Sequence, residues 1–203
     1  MLKKDFEKQT IDCAYVVIKK FPFDTPSREV LPESRAHEIA NCQSNKVKDS
    51  KFYAWKLLEE VVAEKFDRKI SDAYFDKSIG KWKMENLHFS ISHSQDVVSI
   101  AVSYSPIGVD IELINEERFS TLRKEKILSD EELNKSLSSK DLCVIWSQKE
   151  ALFKSLDKRC FIPREINVES GVQSQILSID DREFVLSVAG ITDSICISNQ
   201  CEK

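Results

Sequence analysis

The stretch 107–114, IGVDIELI, reads as a β-strand in which apolar residues alternate with Asp110 and Glu112. Side chains two apart on a strand project the same way, with Cα atoms roughly 6.5 Å apart. The two carboxylates therefore share one face, and Ile107, Val109 and Ile111 share the other. Two readings fit. One is a half-exposed edge strand whose outer face is simply acidic. The other is a hard divalent cation in front of the sheet, since magnesium takes oxygen ligands and commonly one or two carboxylates, the rest coming from water and phosphate. The strand alone does not choose between them.

Working outward, 203 residues with 41% hydrophobic content suffice for one large domain or two small lobes. Residues Ile11 to Lys19 predict a strand, and FPFDTPSREVLPESR is a proline-punctuated loop leading into a helix. Phe52, Trp55, Leu58, Val62 and Phe66 fall at helical spacings over Lys46 to Phe66, with Lys56, Glu59, Glu60 and Lys65 left for water. Leu87 to Ile91 and Val97 to Tyr104 predict strands joined by the polar connection Ser92-His93-Ser94-Gln95-Asp96. Ser129 with Glu132 is a capping box, and a longer helix is expected from Asp141 to Leu156. Four short strands follow, Ile166 to Glu169, Ile176 to Ile179, Glu183 to Val188 and Ser194 to Ser198, expected to pair antiparallel.

Charge excludes some functions. Thirty Lys and Arg against 34 Asp and Glu, a net charge of −4, give no overall attraction to nucleic acid or an anionic membrane. No apolar run is long enough to span a bilayer, and MLKKDFEKQT lacks a secretory pattern, so a cytoplasmic residence is expected. Six cysteines without a CxxC pair fit reduced packing thiols, and three histidines (His37, His88, His93) argue against a histidine-built metal site. Any metal must be held by oxygen.

Two further segments carry chemistry. In WSQKEALFK (146–154) a helical wheel groups Ile145, Trp146, Leu152, Phe153 and Leu156 in one stripe, with Glu150 and Lys154 on its border and Lys149 inside it. Glu150 and Lys154 read by themselves as a solvated i,i+4 pair first, and as groups facing a cleft second. The Lys149 stem can pack there while its ammonium escapes to water or an anion. FSISHS (89–94) ends an apolar strand with hydroxyls flanking His93, a set that offers donors to an anion, or merely a histidine capping a turn.

Taken together and in order, FSISHS, GVDIE (108–112) and WSQKEALFK resemble the signature set of the 4′-phosphopantetheinyl transferases. Within that family the chain is similar to the larger monomeric type that primes carrier domains of fatty acid, polyketide and nonribosomal peptide synthases. The resemblance spans roughly residues 48 to 165. It implies an α+β monomer of two similar lobes related by a pseudo-two-fold, residues 1–105 on the nucleotide side of a coenzyme A cleft and 106–203 carrying the metal and catalytic residues. It further implies Mg2+ held by Asp110, Glu112 and Glu150, with Glu150 also accepting the carrier serine proton and Lys154 holding a pyrophosphate oxygen. Ser92 and His93 match positions that contact the coenzyme's phosphates. Lys51, Lys81, Lys149 and Lys158 are the further basic groups expected to bind the coenzyme.

Departures from the family pattern are Trp82 in place of a proline, Lys51 in place of an arginine, and the glycine-poor run Asp157-Lys158-Arg159-Cys160. The basic, partly apolar segment from Asn115 to Asp141, with Arg118, Phe119, Leu122, Arg123, Lys124, Lys126, Ile127 and Leu128, suits the acidic helix of a carrier protein or an ordinary solvated helix. Rival functions are a coenzyme A or carrier-binding module without turnover, and a Mg2+-dependent nuclease that adds Glu125-Lys126 to the strand carboxylates. The nuclease leaves FSISHS and WSQKE without roles.

Overall fold

The computed structural model describes residues 13–22, 31–117, 124–168, 171–190 and 194–201. The architecture is α+β in four layers, helix, sheet, sheet, helix. The outer layers are the long helices α2 (Asn45–Phe66) and α5 (Ser139–Ser155), with α1 (Glu33–Ala40) packed on α2. The first sheet has the order β4 (His88–Ser94), β5 (Val97–Ser103), β1 (Cys13–Lys20), β9 (Ser194–Asn199). The second has β6 (Ile107–Leu113), β8 (Arg182–Gly190), β7 (Val172–Ile179). A hairpin the sequence did not signal, β2 (Tyr74–Asp76) with β3 (Lys81–Lys83), lies beside the first sheet. Among the described residues no helix is long and apolar enough to cross a membrane.

Alternation sorts the strands' side chains between the layers. Val98, Ile100 and Val102 of β5 and Val17 of β1 meet Trp55, Leu58 and Val62 of α2 in one core. Val97, Ala101, Val16 and Ile18 face the other way, onto Val109, Ile111, Phe184, Leu186 and Val188 of the second sheet. A third core lies under α5, where Leu142 and Cys143 pack with Val185 and with Ile127 and Leu128 near the short helices α3 (Lys124–Ile127) and α4 (Asp130–Leu133).

Several expectations are corrected. The 166–169 strand does not form: Pro163–Glu165 makes a 3-10 turn, residues 166–168 are irregular and 169 lies outside the described residues. The last strand does not join its sequence neighbours antiparallel; β9 pairs parallel with β1 across the sheets, because alternation signals a strand but not its partner. Ser92, His93 and Ser94 belong to β4, leaving only Gln95 and Asp96 as its turn. Lys56 and Glu59 are buried and paired at 2.7 Å, because α2 is covered around its circumference over residues 54–59. Leu156 is exposed, whereas Ser147, Lys149 and Ala151 are buried.

Gly108 sets how closely α5 crosses β6. A Cβ there would stand 1.9 Å from the Ala151 carbonyl oxygen and 2.6 Å from the Ser155 nitrogen. Gly108→Ala must therefore push the helix off the strand, and a loss of about 3 kcal/mol is expected in urea unfolding.

The turns of the two sheets are joined by charge. Arg182 donates to both oxygens of Asp96 at 2.7 and 3.1 Å, and Lys20 pairs with Asp180. The Arg182 hydrogen bonds hold the Asp96 carboxyl below its ordinary value, against the burial that would raise it. A lowered carboxyl pKa stabilises the fold above the ordinary value and ceases to do so as pH falls through the lowered one. Arg182→Met should thus be less stable than the parent at pH 6, the gap closing below about pH 4 in acid-unfolding curves.

Candidate active site

β6 is an edge strand, since β8 takes one side of its backbone. Its other side is not left bare. The N–H groups of Val109, Ile111 and Leu113 donate to the hydroxyls of Ser90, Ser92 and Ser94 on β4, at 3.0, 3.2 and 3.0 Å. Alternate serines on one strand thus meet alternate amides on the other. Two of the hydroxyls donate onward, Ser92 to Asp110 Oδ1 at 2.7 Å and Ser94 to Glu112 Oε2 at 3.3 Å. Asp110 and Glu112 are 2% and 8% exposed, which removes the reading of an acidic strand face turned to water.

From the helix side, α5 brings Trp146, Glu150 and Lys154 to the same place. The Trp146 indole donates to Glu112 Oε1 at 3.2 Å. The Lys154 ammonium lies between carboxylates, 2.7 Å from Asp110 Oδ1 and 3.2 Å from Glu150 Oε2, and also 3.2 Å from Ser92 Oγ. Burial works against the Lys154 charge, but Asp110 and Glu150 outweigh it and hold the ammonium pKa above the ordinary lysine value. Glu150 moves the other way. Desolvation raises its pKa, helped by Asp110 and Glu112 and only partly opposed by Lys154.

Whether this set suits a divalent cation has a direct test. Asp110 Oδ2 is buried without a hydrogen-bond partner, a carboxylate oxygen that water does not reach and no protein donor satisfies. An all-oxygen donor set with one orphaned anionic oxygen fits magnesium chemistry. Among the described residues no three such groups stand close enough to enclose an ion in this structure; Lys154 bridges Asp110 and Glu150 instead.

Beside the carboxylates opens a cavity of about 280 Å³ lined by basic groups, Arg35, Lys51, Lys81, His93 and Lys154, and by the rings of Trp55, Trp82 and Phe89. Glu38 accepts from Arg35 and from Lys51, each at 2.7 Å; burial would raise its pKa, but these two hydrogen bonds outweigh that and lower it. The Arg35 guanidinium lies 5.0 Å from the Trp55 ring, and its Nε has no partner. The edge of one indole meets the other where Trp82 packs on Trp55, so the residue that departs from the family pattern forms an aromatic wall. His93 stands in the cavity mouth, its pKa lowered by burial and by the Lys154 and Lys51 charges.

The expected residues do not all converge. Asp110, Glu112, Glu150, Lys154 and Ser92 form one cluster, and Lys51, Lys81 and His93 line the adjoining cavity. Ser92 and His93 sit on opposite faces of β4, so Ser92 serves the carboxylates and not the cavity. Lys81 donates to the carbonyls of Leu156, Phe153 and Lys154, closing the C-terminal end of α5. Lys149 is wholly buried away from the cleft, donating to Ile127 O at 2.9 Å and pairing with Glu132 at 2.5 Å, because the capping-box carboxylate of α4 is nearer than water. Lys158 is exposed past the end of α5. Of the supposed carrier surface, Arg118, Phe119, Leu122 and Arg123 lie outside the described residues; Ile127 and Leu128 are buried, while Glu125, Lys124 and Lys126 are exposed. Residues missed from sequence are Arg35, hidden in a proline-rich loop, and Trp55 and Phe89, which read as core; Ser94 was noted only as a hydroxyl beside His93, and its period-2 spacing with Ser90 and Ser92 was the available signal for its contact with Glu112.

The model of the 4′-phosphopantetheinyl transferase superfamily matches residues 106–201. That part of the chain belongs to this superfamily. The curated 4′-phosphopantetheinyl transferase gsp of Aneurinibacillus migulanus is 34% identical over 84 residues, covering 38% of this chain and 35% of the relative. The chain thus aligns with about a third of the length of the curated relative it matches. The superfamily match contains Asp110, Glu112, Glu150 and Lys154, while the cavity residues Arg35, Lys51, Trp55 and His93 precede it.

Lys154 is the counter-charge of a nearly inaccessible Asp110, and losing one partner of a buried pair leaves the other uncompensated. Lys154→Met should cost about 2–3 kcal/mol in urea unfolding, with most of it recovered when Asp110→Asn is added.

Proposed function

We propose that the protein transfers the 4′-phosphopantetheine group of coenzyme A to a serine of an apo carrier protein, releasing 3′,5′-ADP, with Mg2+ as cofactor. The observation that carries this is the adjacency of a buried acidic cluster, Asp110, Glu112 and Glu150 with Lys154, to a basic and aromatic cavity. A coenzyme A molecule has matching parts: phosphates and a base for Arg35, Lys51, His93, Trp55 and Trp82, and a pyrophosphate to lie at the boundary with the carboxylates. The superfamily match supports the same reaction.

In this reading residues 1–105 and 106–203 act as two lobes of a pseudo-two-fold monomer in the cytoplasm, the first binding the nucleotide and the second supplying the chemistry, while the last strand of the second, β9, crosses back to complete the first lobe's sheet beside β1. Asp110, Glu112 and Glu150 would hold Mg2+, which would supply positive charge to neutralise the pyrophosphate. The carrier serine oxygen forms a bond to the β-phosphorus as the bond to the 3′,5′-ADP oxygen breaks. Glu150 takes the serine proton. Lys154 sits where it can hold a pyrophosphate oxygen and stabilise the leaving group.

Purified protein, coenzyme A, magnesium and an apo carrier, followed by intact mass, test the proposal. The carrier should gain one phosphopantetheine with the parent protein and at least about a hundredfold less per unit time with Glu150→Gln or Asp110→Asn. Coenzyme A binding with no transfer to any carrier would favour the non-catalytic module, and cleavage of added DNA the nuclease. His93 adds a pH test. Its lowered pKa leaves it neutral near pH 7, and an anion favours its protonated form. Affinity for adenosine 3′,5′-bisphosphate should therefore rise as pH falls through 6, and this rise should vanish in His93→Asn when followed by calorimetry.

A further inference from the structure

After α5 ends at Ser155, the glycine-poor run 157–160 carries the chain back to Phe161. The Phe161 ring sits 5.4 Å from the Trp146 ring at 72°, edge to face, and 5.0 Å from Phe153. Trp146, Glu150 and Phe153 fall at i, i+4 and i+7, one stripe of α5, so Phe161 lies over the stripe that carries Glu150. The indole it touches is the donor to Glu112 Oε1. Glu112 is also held from the β4 side by Ser94, so neutral donors from both sides of the cleft orient it.

We propose that Phe161 is a positioning residue of the carboxylate site: by packing against Trp146 it holds the indole N–H on Glu112 and so fixes the orientation of that carboxylate. Its importance for transfer rests on the function proposed above; its hold on the indole does not. An edge-to-face ring pair changes an equilibrium by up to about tenfold.

The test is NMR of the three indole N–H groups in metal-free protein, with the Trp146 signal assigned from Trp146→Phe. In Phe161→Ala the Trp146 N–H should exchange with solvent about five- to tenfold faster, while Trp55 and Trp82 stay unchanged. Phe161→Tyr should restore protection, and Phe161→Leu should fall between. In the transfer assay the magnesium midpoint for Phe161→Ala should rise about five- to tenfold with the coenzyme A KM unchanged. Unchanged Trp146 exchange in Phe161→Ala, or equal loss of protection at all three indoles, would overturn the proposal. If the indole effect is seen but no variant transfers phosphopantetheine, the reading of function fails while the positioning role stands.

Discussion

The structure depends on how the free edge of β6 is satisfied. Three amides facing a neighbouring strand would each cost about 1–3 kcal/mol if buried without a partner. Direct pairing with β4 would satisfy them, but it would merge two sheets that instead pack face to face. Serine hydroxyls at alternate positions resolve the conflict. Each hydroxyl accepts from an amide and keeps a proton to give away, and where β6 carries a carboxylate the proton goes there. At the position where β6 has Gly108 no carboxylate is needed, and the space is taken by the backbone of α5. One strand-to-strand seam therefore spaces the sheets, hydrogen-bonds two carboxylates in the interior and leaves room for the helix that completes the cluster.

Two lysines of α5 show how the same residue type is given opposite tasks by angle alone. Lys149 and Lys154 are five residues apart, well over a third of a turn out of phase on a helix of 3.6 residues per turn. Lys149 points to the side of α3 and α4, where a capping-box carboxylate and a helix-end carbonyl absorb its charge. That contact fixes the short helices against α5 and removes one cation from the cleft. Lys154 points to β6, and its single charge is shared by Asp110 and Glu150. The acidic cluster consequently stays short of positive charge, as the orphaned Asp110 oxygen and the raised Glu150 pKa both register.

Much of this was legible because local patterns are short-range physics. Period-2 alternation gave β6, short apolar runs bounded by polar turns gave β4, β5 and β8, the helical spacing of Trp55, Leu58 and Val62 gave α2, and Ser129 with Glu132 gave the start of α4. Asp110, Glu112, Glu150 and Lys154 were readable as one site only through the order of three motifs, since no spacing rule brings a strand and a helix forty residues apart into contact. What stayed hidden were choices among long-range partners. The partner of β9 is set by which sheet edge lies open, the direction of Lys149 by a carboxylate seventeen residues away, and the second role of the FSISHS serines by the neighbouring strand's bare edge. Arg35 was invisible because its guanidinium reaches the cavity only once α1 packs on α2.

The division of charge across the cleft also restricts what kind of ligand can use it. On the cavity side Arg35, Lys51 and Lys81 outnumber Glu38, the carboxylate that pairs with the first two, so phosphate groups find favourable potential there. One step further, a phosphate oxygen approaching Asp110 or Glu150 at 4 Å meets a repulsion of about 4 kcal/mol per charge pair at an effective dielectric of 20. Lys154 offsets one such pair and is already shared by two carboxylates. An anionic ligand that stays within the basic cavity needs no further help, whereas one whose phosphates extend to the carboxylates must bring additional positive charge with it. A ligand anchored in the cavity and reacting at the acidic boundary is thus one whose binding and whose chemistry are separable, the first governed by the basic and aromatic residues and the second by the carboxylates, Lys154 and any cation taken up between them.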